Sequence, residues 1–187
     1  MRRRSAGLVT VLVVALACAG CLWHHDTVRL TFDGVPNHVG EGAARIRSGQ
    51  PVSVGSMSLC LTRAGEATIN RVSLVGPVGS IRVDDWTLVN HPRQATRTFI
   101  GTDRRTLRSY GYPLTHTVDV ACDAGAGDLD ELVVQVERTD AEDAGFNAFR
   151  IDWTSHDDHG SILFPLSIAL CAERSADAPG CHRLGLV

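Results

Sequence analysis

The residues best suited to bind a ligand lie in one long connection between predicted strands, from His91 to His116. Residues 91 to 115 include five arginines and one aspartate, a net charge of +4, whereas the rest of the chain after residue 20 carries −10. Guanidinium groups bind anions through paired hydrogen bonds, and aromatic rings offer a stacking face. The candidate ligand-binding residues are Arg93, Arg97, Arg104, Arg105, Arg108, Tyr110 and Tyr112. They favour an anionic or sugar-bearing ligand; the alternative is a solvated crossover whose arginines pair with the acidic remainder of the chain.

A second chemistry is suggested by histidines beside carboxylates. His156 and His159 flank two aspartates in a predicted hairpin turn, and His24 and His25 precede Asp26. Imidazole together with carboxylate suits zinc or copper, so a metal-binding envelope protein is the alternative function. Two ligands on one turn do not close a metal site, and an ordinary polar turn accounts for the same residues. We therefore assign no metal ligand and keep His156 and His159 only as candidates.

Patterns typical of catalysis are missing from the sequence. It contains neither a G-x-S-x-G nucleophile motif nor a glycine-rich phosphate loop. Its cysteines are better explained as disulfide partners than as nucleophiles. The sequence therefore predicts a non-enzymatic protein with no catalytic residue and no cofactor.

Four cysteines follow the N-terminal segment: Cys60, Cys122, Cys171 and Cys181. An even number of cysteines in an exported chain predicts two disulfides, for which three connectivities are possible. The residues between Cys171 and Cys181 are polar and turn-rich, which favours a local bridge between these two. Cys60 would then pair with Cys122.

The first 21 residues match a bacterial lipoprotein signal. Three arginines at positions 2 to 4 precede an apolar stretch from Leu8 to Ala17, and Ala19-Gly20-Cys21 ends it. The apolar stretch is shorter than the roughly 20 residues that a helix needs to span a bilayer. We expect residues 1–20 to be a signal peptide and Cys21 to be lipidated. Acylation at Cys18 and an ordinary cleaved secretory signal are the alternatives.

Such a signal predicts an exported protein that is lipid-anchored on the outer face of the cell membrane. Residues 21–26 would form a short tether and residues 27–187 a single β-sandwich domain. The five residues from Leu22 to Asp26 reach less than about 20 Å, because an extended chain covers at most about 3.6 Å per residue. The domain is therefore expected close to the bilayer, where an envelope protein or an anionic envelope polymer is the candidate partner.

The composition narrows the choice of partner and source. After residue 20 the chain has 15 arginines and 21 acidic residues, a net charge of −6. Because an acidic domain is a poor nucleic-acid binder, we expect no nucleic-acid partner. All 18 basic residues are arginine, in a chain rich in Ala, Gly, Val and Asp, which suggests an actinobacterium.

The residues that surround these candidates alternate between apolar and polar, a pattern typical of strands. Eight strands are predicted, with a ninth near Leu184. They run over Thr27 to Phe32, Val52 to Arg63, Ala67 to Val75, Ser80 to Asn90, His116 to Cys122, Glu131 to Arg138, Ala148 to Thr154 and Ser161 to Cys171. Antiparallel strands joined by short turns predict an all-β, two-sheet antiparallel sandwich.

One strand changes phase internally. Ile81 and Val83 occupy odd positions, whereas Trp86 and Leu88 occupy even ones, so an extra residue at Asp84-Asp85 predicts a β-bulge. The order Cys60, Trp86, Cys122 resembles the immunoglobulin pattern, which implies a sandwich of immunoglobulin-like type. The chain as a whole resembles the small, two-disulfide lipoproteins of unknown function that actinobacteria encode, and that resemblance implies no active site.

Overall fold

The structure is a computed structural model, and it describes residues 27–33, 39–43, 45–92, 100–102, 106–111, 113–123 and 128–175. The predicted signal peptide, the tether, Cys21 and the strand expected near Leu184 lie outside these residues. The strands are β1 Leu30–Phe32, β2 Val39–Ala43, β3 Pro51–Leu61, β4 Ala67–Val75, β5 Ile81–Pro92, β6 Ile100–Thr102, β7 Thr117–Val118, β8 Asp128–Arg138, β9 Ala144–Phe146, β10 Ala148–Ser155, β11 His159–Phe164 and β12 Leu166–Leu170. Two short 3₁₀ helices cover Leu107–Tyr110 and Glu173–Ser175.

The strands form three sheets. The first has the order β1-β3-β8-β5, with β6 also paired to β3, and the second has the order β11-β10-β4-β7. A third, smaller sheet has the order β2-β12-β9. All described strand pairs are antiparallel except β12 with β2, which is parallel. The predicted all-β class with antiparallel packed sheets is confirmed, and the third sheet with its parallel β12–β2 pair was not predicted.

The core lies between the first two sheets. Alternate residues of each strand point to one face of its sheet, and the apolar ones face the other sheet. From the first sheet it takes Val52, Val54, Met57, Leu59, Leu61, Leu88, Leu132, Val134 and Val136, and from the second Ala67, Ile69, Val72, Phe149, Ile151 and Trp153. The third sheet extends the same core with Phe146, Leu166, Ile168 and Leu170. Each large apolar side chain that is fully buried contributes about 1.5 to 3 kcal/mol relative to exposure.

The predicted bulge in β5 is confirmed. Val83 pairs with Val136 of β8 and Asp85 pairs with Gln135, so Asp84 is the extra residue. The backbone N–H of Trp86 donates a hydrogen bond to the Asp85 carboxylate at 2.9 Å. This extra residue keeps the apolar side chains on both sides of it against the core.

The prediction of one continuous strand from Ser161 to Cys171 is wrong. Pro165 separates β11, which pairs with β10, from β12, which pairs with β9 and β2. Proline has no N–H to donate, so the ladder with β10 ends there and the chain passes from the second sheet to the third. The apolar alternation continues in phase across Pro165, which explains why the sequence pattern did not show the break.

The other differences concern short strands. β2, β6 and β9 were not predicted, and the strand expected over His116 to Cys122 is regular only at Thr117–Val118. β2 and β9 contain glycine and few apolar residues in alternation, so neither shows a strand pattern. No helix among the described residues is long and apolar enough to cross a membrane.

A buried arginine fastens the end of β8 to two neighbouring turns. The Arg138 side chain is only 2% exposed. Its guanidinium donates hydrogen bonds to the backbone carbonyls of Ile46 and Glu142. The Arg138 carbonyl in turn accepts a hydrogen bond from Gly49 N at 2.7 Å. Arg138 therefore donates to one backbone carbonyl group in each of the two turns and ties both to the end of β8.

Candidate binding surfaces

The connection over residues 91–116, here called the Arg-rich connection, is more structured than the sequence indicated. It contains the end of β5, the short strand β6 and the 3₁₀ helix Leu107–Tyr110. Leu107 is fully buried and packs with Val89 of β5 and Val133 of β8. These two valines alternate with core residues, so they lie on the outer face of the first sheet. The 3₁₀ helix of the Arg-rich connection is therefore seated on that face.

The C-terminal end of the Arg-rich connection is held along β5. The Thr87 hydroxyl donates a hydrogen bond to the Pro113 carbonyl at 2.6 Å, and Leu88 N donates to the Thr115 carbonyl at 3.0 Å. The His116 ring stacks on Trp86 with ring centroids 5.3 Å apart. Together these contacts fix where the 3₁₀ helix stands relative to the first sheet.

Two of the seven candidate ligand-binding residues fall within the described part of the chain. Arg108 is exposed on the 3₁₀ helix, one residue after the buried Leu107. Tyr110 ends that helix, and Gly111 follows it with a left-handed φ of 77°. Arg93, Arg97, Arg104, Arg105 and Tyr112 lie outside the described residues. Whether they form one surface with Arg108 stays a prediction.

The Cys60–Cys122 disulfide is present, with a Cα–Cα distance of 5.0 Å. It joins β3 to the segment after β7, where Leu61 and Ala121 also form a bridge. Cys60 stands between Leu59 and Leu61, whose side chains are in the core, so it points to the opposite face of the sheet. In immunoglobulin domains the corresponding bridge connects the sheets through the core.

Only one cysteine of the second predicted disulfide lies within the described residues. Cys171 is fully buried and is disulfide-bonded. Its expected partner, Cys181, lies outside the described residues, so the pairing of these two cysteines stays a prediction.

The β10–β11 hairpin tip, residues 155–159, holds the first described residues of the chain. Asp158 accepts hydrogen bonds on Oδ2 from the Thr27 hydroxyl at 2.9 Å and from Arg29 Nε at 3.0 Å. The Ser155 hydroxyl donates to the Val28 carbonyl at 3.0 Å. Residues 27–29 are therefore fastened to the hairpin tip, and the N-terminal segment leaves the domain at this end.

The Asp158 carboxylate is stabilised in its ionised form. Its pKa lies below the usual 3.8, first because the backbone N–H of His159 donates to it and then because Thr27 and Arg29 do. Each of these donors favours the charged carboxylate over the protonated one. Ionisation of Asp158 therefore strengthens the attachment of residues 27–29 to the tip, to which the Ser155–Val28 hydrogen bond also contributes.

An open cavity of about 520 Å³ lies at the same end, between the hairpin tip and the turn after β3. Its lining includes Arg63, Glu66, His156 and Asp157 together with Thr68, Thr154 and Ser155. Arg63 Nη2 lies 3.3 Å from Asp157 Oδ2. Both charge signs and several hydroxyls are therefore present in the lining of this cavity.

The histidines proposed as metal ligands do not form a complete site in the part of the chain that the structure describes. His156 and His159 are both exposed at the hairpin tip. Across the described ranges, no group of three or more His, Cys, Asp or Glu side chains is arranged to hold a metal ion. His24 and His25 lie outside those ranges, so the metal-binding alternative stays a prediction.

The sequence analysis did not single out Arg29, Arg63 or Glu66. Arg29 and Asp158 are 129 residues apart in sequence, and Arg63 and Asp157 are 94 apart. No local pattern reports contacts across such distances. The one signal in the sequence is the pair Asp157-Asp158 in the hairpin turn, whose carboxylates bind Arg63 and Arg29.

No protein-family model matches the sequence, and a search of curated proteins finds no significant match. Among solved structures, the chain is similar to the CooA pilin subunit from enterotoxigenic Escherichia coli, with 12% identity and a TM-score of 0.36 over 78% of this chain and 98% of that one. It is also similar to a family 123 glycoside hydrolase from Clostridium perfringens, with 8% identity, a TM-score of 0.33 and 78% of this chain covered. The match spans only 27% of the hydrolase. Both TM-scores are under 0.5, so neither similarity assigns a function to this chain.

Proposed function

We propose that this chain is a protein lipid-anchored to the outer face of the cell membrane, with a non-enzymatic binding or structural role toward an envelope protein or an anionic envelope component. The lipid is carried by Cys21, and the Arg-rich connection supplies the binding surface. Both parts rest on the sequence signals, and described contacts support each of them.

The observation that carries the proposal is the attachment of residues 27–29 to the hairpin tip. Thr27 is fixed by Asp158, and only five residues separate it from Cys21. Five residues reach less than about 20 Å even when fully extended. A lipidated Cys21 would therefore hold the hairpin-tip end of the domain close to the bilayer, and any partner would be met at the membrane surface.

The binding role is supported by the way in which the Arg-rich connection is mounted. Leu107 is buried on the outer face of the first sheet, so the neighbouring Arg108 is presented from a fixed position. A surface residue on a rigid support loses less conformational entropy when it binds than one on a free loop does. A net charge of +4 over residues 91 to 115 makes an anionic partner the best match.

Anchoring is tested by the mature N-terminus and by lipid labelling. Cells expressing the wild-type chain, Cys21→Ser or Cys18→Ser are fed a clickable palmitate analogue, and the mature chain is analysed by mass spectrometry. We expect label on the wild type and on C18S, with Cys21 as the first residue, and none on C21S. A mature chain that begins elsewhere, or label that C18S abolishes, would contradict this assignment.

Anion binding is tested with the double variant Arg104→Glu and Arg105→Glu. The probe is a vesicle of phosphatidylglycerol, with vesicles of phosphatidylcholine as the uncharged control. Because each basic residue near an anionic bilayer contributes about 1 kcal/mol, we expect binding at least about tenfold weaker. The matched control is Arg71→Glu with Arg150→Glu, two exposed arginines of the second sheet. Equal losses in both double variants would show a general charge effect and would remove the Arg-rich connection as the site.

A further inference from the structure

β11 is an edge strand with one open side. Residues His159 to Phe164 pair with β10, and no other described strand pairs with them. The register with β10 continues without interruption over all six residues. In an edge strand, half of the backbone N–H and C=O groups point away from the sheet and are available to a further strand.

The other sheet edges in the described part of the chain carry features that oppose strand addition. β5 is long but has the Asp84 bulge, and its exposed stretch includes Arg82, Asp84 and Asp85. β1, β6, β7 and β9 have three residues or fewer, and β2 includes Glu41. Short strands, bulges and charges are the means by which proteins keep sheet edges from pairing.

β11 has none of these protections. Its sequence, His159-Gly160-Ser161-Ile162-Leu163-Phe164, contains no Asp, Glu, Arg, Lys or Pro. Leu163 points outward and is 51% exposed, which is more than Val78 at 46% or Leu114 at 42%, the other exposed large apolar residues among those that the structure describes. An apolar residue on an unprotected edge is the combination expected at an interface.

We infer that β11 is a homodimer interface, at which two copies of this chain pair their β11 strands antiparallel about a two-fold axis. A second copy fits this edge because β11 would meet its own uncharged sequence, so no carboxylate or guanidinium of β11 faces its like. Facing residues share one side of the sheet, so the axis passes through Ser161 or Ile162 and five residues of each strand pair. Residues that face each other across the axis lie on the same side of the joined sheet, so each copy places its Leu163 on the shared outer face. Pairing would join two four-stranded sheets into one of eight strands over about 17 Å of β11, at about 3.3 Å per residue.

The inference is independent of the proposed anchoring and is tested on the full chain purified in detergent. Its mass is measured by sedimentation equilibrium in a density-matched buffer over a range of protein concentrations. The test variant is Leu163→Glu, which introduces a charge on the edge. Leu163 is opposite Arg150 on β10, so the new carboxylate has a partner within the monomer and the fold is expected to be kept. Val78→Glu and Leu114→Glu are the matched controls at exposed apolar positions away from β11.

We expect a reversible dimer for the wild type and for both controls. In L163E the dimer dissociation constant should rise at least about 100-fold, because each dimer would carry two new carboxylates beside the shared edge and each factor of ten corresponds to about 1.4 kcal/mol. Retention of the Cys60–Cys122 bridge and an unchanged near-ultraviolet circular dichroism spectrum would show that L163E is folded. A wild-type chain that is monomeric at every concentration, a dimer that survives L163E, or a dimer lost equally in a control would each overturn the inference.

Discussion

Removal of the Cys60–Cys122 bridge by the double substitution Cys60→Ala and Cys122→Ala should lower the free energy of unfolding by about 4 kcal/mol. The two cysteines are 62 residues apart. In the loop-entropy model a ring of that size restricts the unfolded chain by about 4 kcal/mol at 25 °C. For a domain of this size, a loss of about 4 kcal/mol corresponds to a fall in Tm of roughly 8 to 16 °C.

The measurement is urea unfolding of the oxidised wild type and the oxidised double variant, followed by far-ultraviolet circular dichroism. Cys60 is fully buried and Cys122 half-buried, so alanine also removes some packing and the loss should not be smaller than the entropic value. Adding a reductant should lower the free energy of unfolding of the wild type more than that of the variant, because the variant retains only the bridge made by Cys171. A loss under about 1 kcal/mol would refute the reasoning, since it would show that the bridge does not restrict the unfolded chain as a long-range link must.

Three further changes have expected outcomes. Arg138→Ala should lower the free energy of unfolding in urea by about 3 to 6 kcal/mol, because two hydrogen bonds from a buried, charged donor are lost. Arg174 is exposed, so the control Arg174→Ala should change the free energy of unfolding little. Asp84→Asn should raise stability at pH 7, because burial and the neighbouring Glu137 raise the Asp84 pKa and make its ionisation unfavourable in the folded state; the gain should vanish when unfolding is measured below the unfolded pKa near 3.8. Asp158→Asn should lower stability at neutral pH, because the folded protein lowers the Asp158 pKa and so favours the ionised carboxylate. The wild type should lose this advantage as the pH falls through the folded pKa, which lies below 3.8. Equal pH profiles for the two Asp variants would contradict the assigned directions.

The sequence predicts those strands that bury one face and expose the other, because their apolar and polar residues alternate. β4 was predicted at Ala67–Val75, as observed, because its apolar residues alternate across its first half. The Asp84 bulge was predictable because β5 faces the core on one side and shows its change of phase. β12 is different: all five of its residues are buried, so alternation carries no information about which sheet it joins. Its pairing depends on Pro165 and on strands β2 and β9, which show little pattern of their own.

The candidate surfaces were predictable to a lesser extent, and for a related reason. Composition alone marked the Arg-rich connection, but it did not show that Leu107 would be buried against Val89 and Val133. The hairpin turn at Ser155 to His159 was visible as a polar segment, yet its partner Arg29 is far away in sequence. Local patterns therefore locate surface segments, whereas their attachment to the sheets is set by tertiary contacts that one sequence does not display.

The proposed anchor and the proposed dimer restrict each other geometrically. A two-fold axis that relates two antiparallel β11 strands is perpendicular to the second sheet. Two lipid-anchored copies can insert into one bilayer only if that axis is normal to the membrane, which places the second sheet parallel to the membrane. The first sheet packs face to face on the second, so its outer face, where Leu107 seats the 3₁₀ helix of the Arg-rich connection, would point either directly at the bilayer or directly away from it. The vesicle experiment distinguishes the two: binding to phosphatidylglycerol that depends on Arg104 and Arg105 requires the connection to face the bilayer, and its absence would leave that surface to a partner on the far side.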